Sequence, residues 1–150
     1  MAAACVEAGP VRTVPREPAA RCERSVEWTP YPDSRAVLDL LAAQGVPVAV
    51  VSNIPFDIRP SFAARGWDRL VAAFTLSFEV GAMKPDPGIF GSALRDLGVP
   101  AEAALMIGDS AEADGGAEAL GSRFALVEAL PTGERPDALL AALRRHGLVD

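Results

Sequence analysis

Two aspartates, one lysine and a serine-asparagine pair are the residues whose types and spacing suit chemistry. Asp109 and Asp114 follow the apolar run Leu105-Met106-Ile107-Gly108 and lie in a turn that opens a short helix. At the carboxyl end of a parallel strand, side chains face the crevice where open α/β sheets take ligands. Asp114 falls one turn later, near a helix N-terminus. Hard carboxylate oxygens in that place suit a divalent cation such as Mg²⁺, or a phosphate-bearing ligand held through one. The plainer alternative is a capping turn in which Asp109 or Ser110 satisfies orphan amides. Lys84 is the only lysine among fourteen basic residues. A chain that otherwise uses arginine has set one compact, strongly hydrated ammonium in Met83-Lys84-Pro85-Asp86-Pro87. Ser52 and the Asn53 backbone, closing a valine-rich run, can donate to phosphoryl oxygens while Lys84 balances their charge and Asp109 holds Mg²⁺. Alone, Ser52 reads as a turn former and Lys84 as a solvated surface charge; their order and placement together carry the chemistry.

The elements that must position these residues emerge from the hydrophobic pattern. Asp33 or Ser34 caps a helix with Val37, Leu38, Leu40 and Leu41 along one side, and Gly45 ends it. Residues 46–51 form a strand apolar enough to be covered on both faces. Pro60 starts a helix that stops at Gly66, residues 73–78 make a second strand, and Asp86-Pro87 opens a helix ending at Gly98. Residues 104–107 and 123–127 are strands separated by a short helix around Gly115-Gly116-Ala117, and a last helix runs from Asp137 to Arg145. Such alternation with short connections implies an α/β fold with a doubly wound parallel sheet. Ser52, Lys84, Asp109 and Asp114 all follow carboxyl ends of predicted strands, so one rim of one sheet collects them.

Residues 1–30 are less regular. Pro10, Pro15, Pro18 and Pro30 interrupt them; residues 19–27 have room for a short helix, and residues 11–14 are too closely flanked by proline for a good strand. The expected division is an irregular segment over 1–30 and an α/β core over 31–150.

Composition narrows the partners. A net charge of −6 and a pI near 4.8 argue against a nucleic-acid backbone, which demands a basic face. No run is long enough to span a bilayer and no signal peptide is evident, which leaves a small substrate or a protein partner. Cys5 and Cys22 show neither metal-type spacing nor a disulfide framework, so the expectation is a cytoplasmic protein with reduced thiols. His146, the single histidine, sits at the end of the last helix, where the helix dipole accounts for it.

Taken together, Val50-Val51-Ser52-Asn53, then Lys84-Pro85-Asp86-Pro87-Gly88-Ile89-Phe90, then Ile107-Gly108-Asp109-Ser110 with Asp114, and Gly116-Ala117 before Gly121, resemble the haloacid dehalogenase superfamily of hydrolases. The resemblance spans about residues 31–150 and implies a Rossmann-type core. It also implies that Ser52 binds a transferred phosphoryl group, Lys84 stabilises the charge of nucleophile and phosphoryl group, and Asp109 ligates Mg²⁺. Asp114 would complete the site through water or by orienting Lys84. Gly-Asp-Ser with a second aspartate looks like the Mg²⁺-dependent phosphatases rather than the dehalogenases. The implied substrate is a small phosphorylated metabolite.

One departure stands beside the match. Members of the family begin with a strand ending in Asp-x-Asp-Gly-Thr, whose first aspartate attacks phosphorus, and this chain has no such segment: Asp33 is its first aspartate. The central first strand is therefore expected to be missing, residues 1–30 resemble the tail of a helical cap, and the chain reads as starting late. Missing that strand, the sheet would hold unpaired edges, which makes self-association plausible. The expected function is Mg²⁺-dependent phosphate-ester hydrolysis in the complete protein, with the present chain inactive alone. The alternative is a non-catalytic fragment or pseudoenzyme acting as a weak phosphate-binding or interaction module. A receiver-like phosphoacceptor domain ranks last, because its acidic pair follows the first strand.

Overall fold

A computed structural model of the chain describes residues 3–6, 30–128, 134 and 136–150. Five parallel strands form one sheet in the order β3-β2-β1-β4-β5, with β1 Ala3–Val6, β2 Val48–Ser52, β3 Ala73–Leu76, β4 Ala104–Gly108 and β5 Arg123–Leu126. Helices α1 (Ser34–Ala43), α2 (Arg59–Ala63), α3 (Ser77–Val80), α4 (Pro87–Leu97) and α5 (Ala138–Arg145) connect or follow the strands. The doubly wound α/β class expected from the pattern is the one observed.

The expectation of a missing central strand is overturned. Ala3–Val6 occupies the middle of the sheet, with Val6 in register with Val50 on one side and Ile107 on the other. A four-residue run of small side chains carries little strand signal. Small side chains nevertheless suit this slot, because Ala4 and Cys5 are buried between both layers. The core therefore takes in residues 3–6 as well as the later segment. With β1 paired on both sides, the argument for self-association through open central edges lapses. The segments 11–14 and 19–27 lie outside the described residues.

Strand side chains alternate between two apolar layers. Val48, Val50, Leu105 and Ile107 join Leu38 and Leu41 of α1, Phe62 of α2 and Leu143 of α5 on one face. Ala49, Val51 and Met106 meet Ile89, Phe90 and Ala93 of α4 and Ala117 on the other. Asp86 caps α4 as its spacing predicts, accepting the Gly88 N–H at 2.7 Å. Asp33 behaves differently: it makes no side-chain cap on α1, and its Oδ2 accepts the N–H of Leu140 in the first turn of α5 at 2.9 Å. It thus ties two helices that lie far apart in sequence, a role that local pattern does not carry. Residues 77 and 78, expected at the end of a strand, instead begin α3.

Candidate functional site

Strand order reverses at β1, so the loops after β2 and β4 diverge on either side of its carboxyl end. In open α/β sheets such a switch point leaves a crevice at the carboxyl rim. Ser52 ends β2 and is buried, Asn53 follows it half-buried, and Asp109 follows β4 half-buried. Lys84 reaches the same rim from the loop between α3 and α4. Its ammonium donates to Asp114 Oδ1 at 2.6 Å, with both side chains fully buried. The second carboxylate oxygen, Oδ2, accepts the Ser110 N–H at 3.0 Å. Asp114 therefore has both oxygens engaged, one of them on the Lys84 ammonium.

Local sequence explains the fit. Asp114 starts a 3-10 turn over Asp114–Leu120, and its backbone N–H returns to Ser110 O at 2.8 Å, so the Gly108-Asp109-Ser110 corner folds over its own carboxylate. Gly108 is obligatory there, because a Cβ at that position would collide with the Asp114 carboxylate. Gly116 has a similar reason: its Cβ would lie 2.6 Å from the Pro85 carbonyl oxygen, so the turn packs directly on the lysine loop.

Asn53 lies between the two halves of the site. Its Oδ1 accepts the Lys84 N–H at 2.7 Å and its Nδ2 donates to the Lys84 carbonyl at 3.0 Å. Hydrogen bonds thus link Asn53, Lys84, Asp114 and Ser110, while Ser52 precedes Asn53 and Asp109 precedes Ser110 along the chain. Sequence reasoning missed Tyr31. This single tyrosine is buried and donates its hydroxyl to Asp109 Oδ2 at 3.4 Å, long for such a bond. Its only sequence signal was a lone phenol between two prolines at the entrance to the first helix.

The donor chemistry fits Mg²⁺ held through few protein ligands. Mg²⁺ keeps several waters and takes one or two carboxylates together with phosphate oxygens, and half-buried Asp109 offers such a carboxylate. Among the described residues no group of three acidic, cysteine or histidine side chains gathers as a closed metal cage. Nor is any described helix long and apolar enough to cross a membrane.

The rim thus carries a buried lysine-aspartate pair and a half-buried carboxylate at the switch point of a parallel α/β sheet. Residues 3–121 match the haloacid dehalogenase-like hydrolase family, and the chain belongs to it. It is 34% identical over 110 residues to a phosphoserine phosphatase of Thermus thermophilus, covering 72% of this chain and 44% of that protein. A solved phosphatase of the same superfamily from Thermococcus onnurineus superposes with a TM-score of 0.62 at 29% identity, over 66% of this chain and 46% of that one. An uncharacterised protein from Listeria monocytogenes serotype 4b is similar in fold, with a TM-score of 0.70 at 20% identity over 96% and 99% of the two chains. The chain thus spans less than half the length of the phosphoserine phosphatase it matches.

Proposed function

We propose that this chain presents a phosphoryl-binding site of the kind used in Mg²⁺-dependent phosphate-ester hydrolysis, suited to a small phosphorylated metabolite. The observation that supports it is the fully buried Lys84–Asp114 pair held at the rim beside Ser52 and Asp109. Burying an ammonium is costly even when paired, and replacing such a pair with apolar residues is often neutral or stabilising. A fold that keeps the pair at a ligand crevice has a use for the charge. In this reading the Ser52 hydroxyl and the Asn53 backbone N–H donate to phosphoryl oxygens, and Lys84, fixed by Asp114, neutralises charge gathering there. Asp109 would hold Mg²⁺, which when bound supplies Lewis-acid stabilisation to a phosphoryl oxygen.

A covalent step in this family's manner needs an aspartate after the first strand, and β1 is followed in sequence by Glu7-Ala8-Gly9. We therefore infer that the present chain binds phosphate without turning over esters, which is the property of a non-catalytic phosphate-binding module. Calorimetric titration with inorganic phosphate in Mg²⁺ tests the site: Lys84→Ala should weaken binding at least about tenfold, the value of one charge-assisted contact. Equal binding by wild type and Lys84→Ala would refute the assignment. A p-nitrophenyl phosphate assay tests the inactivity, and a Mg²⁺-dependent rate abolished by Asp109→Asn would overturn it.

A further inference from the structure

The carboxamide of Asn53 makes both of its described hydrogen bonds to the backbone of one residue, thirty-one positions away. Oδ1 takes the Lys84 N–H at 2.7 Å and Nδ2 gives to the Lys84 carbonyl at 3.0 Å. A side-chain amide paired in this way imitates a neighbouring strand. The orientation of the group follows from the partners, since a flip would set N–H against N–H and oxygen against oxygen. The side chain beyond that clasped backbone is the buried ammonium bonded to Asp114.

We propose that Asn53 is a positioning residue: its side chain fixes the Lys84 backbone so that Lys84 Nζ is held at the anion site, and does not itself contact the anion. The proposal rests on the reading that Lys84 receives phosphoryl charge. The anchor itself is rigid. Ser77, at the start of α3, accepts the Ile54 N–H at 2.9 Å and donates to the Ile54 carbonyl at 3.1 Å, so the residue after Asn53 is gripped in the same two-bond manner. Beyond the lysine, Gly116 packs directly against Pro85. The loop that carries Lys84 lies outside strand and helix, with Asp86 N–H to Met83 O at 2.7 Å as its own turn bond. Asn53 joins it to the end of β2. No other common side chain matches the length and polarity: aspartate sets an oxygen against the Lys84 carbonyl, and alanine offers neither bond.

The test uses the 150-residue chain, inorganic phosphate as the probe, and four proteins: wild type, Asn53→Ala, Lys84→Ala and the double variant. Asn53→Leu, which preserves volume while removing both bonds, replaces the alanine variant if that one does not fold. Amide exchange by NMR should show the Lys84 N–H exchanging about tenfold faster in the Asn53 variant, while the Ile54 N–H, held by Ser77, keeps its protection. Phosphate affinity should fall about fivefold or more in the Asn53 variant and should fall no further when the substitution is added to Lys84→Ala. Unchanged protection of the Lys84 N–H overturns the proposal. So does an Asn53 effect of equal size with and without Lys84, which would mean that the side chain touches the anion itself. If wild-type protein binds no phosphate, or Lys84→Ala binds it equally well, the functional reading fails and amide exchange alone decides whether Asn53 holds Lys84.

Discussion

Asp114→Asn is the substitution most diagnostic of how this site is built. Both Asp114 oxygens accept, one from the Lys84 ammonium at 2.6 Å and one from the Ser110 N–H at 3.0 Å. A carboxamide has one acceptor and one donor. In one orientation its NH₂ faces the ammonium, and in the other it faces the Ser110 amide, so no rotation satisfies both. The buried Lys84 charge then loses the Asp114 carboxylate, with both side chains shielded from water. Breaking a buried pair from one side costs about 3–5 kcal/mol. In a domain of this size that lowers Tm by about 6–20 °C, a large part of a total stability on the order of 5–15 kcal/mol. Urea denaturation and calorimetry read the change directly. Adding Lys84→Met removes the buried charge that has lost Asp114 and should restore at least half of the loss. An Asp114→Asn protein within about 1 kcal/mol of wild type, or a double variant that regains nothing, would refute the reasoning that loss of the Asp114 charge beside Lys84 sets the cost.

Two further outcomes follow from groups away from the rim. Burial raises the Asp33 carboxyl above its usual range, outweighing the backbone amides, Leu140 foremost, that favour the ionised form, and among the described residues its Oδ1 is buried without a side-chain hydrogen bond in good geometry. The stability this carboxyl contributes is therefore full below the unfolded value near ~3.9 and is lost as pH rises through the higher folded one. Asp33→Asn should accordingly be the more stable protein in urea at pH 8, with the gap closing toward pH 4; a wild type more stable than the variant at pH 8 contradicts this. Cys5 sits in the central strand with its thiol pushed up to about 12 by burial. In a Cys22→Ser background, a thiol reagent at pH 8 should label Cys5 at least about a thousandfold more slowly than the urea-unfolded chain, because labelling must await opening of the sheet. Labelling at the unfolded rate would remove β1 from the middle of the sheet.

The sequence was legible where a physical requirement leaves a local mark. Residues 104–107 read as a strand because both faces are covered and every position is buried, and α4 announced itself through Asp86, Pro87 and Gly98 because its caps are made by neighbours in sequence. Lys84 and Asp114 stood out by residue type, and the structure joins them. What could not be read depends on partners far along the chain. Asp33 has the composition of a local cap and serves α5 instead; Asn53 has the composition of a turn and clasps Lys84; Tyr31 meets Asp109 across seventy-eight positions.

The central strand is the sharpest case. Like β2 and β4, β1 is paired on both sides, but its four residues Ala3-Ala4-Cys5-Val6 lack the Val-, Ile- and Leu-rich run that marks those two strands in sequence. Its cohesion comes from backbone ladders to β2 and β4, which carry no side-chain signature, and from side chains small enough to fit between the layers. Ala4 and Cys5 meet that demand without looking like a strand. The strand that sets the switch point of the site is thus the one whose own residues say least about it, and its placement follows from the registers of Val50 and Ile107 on either side.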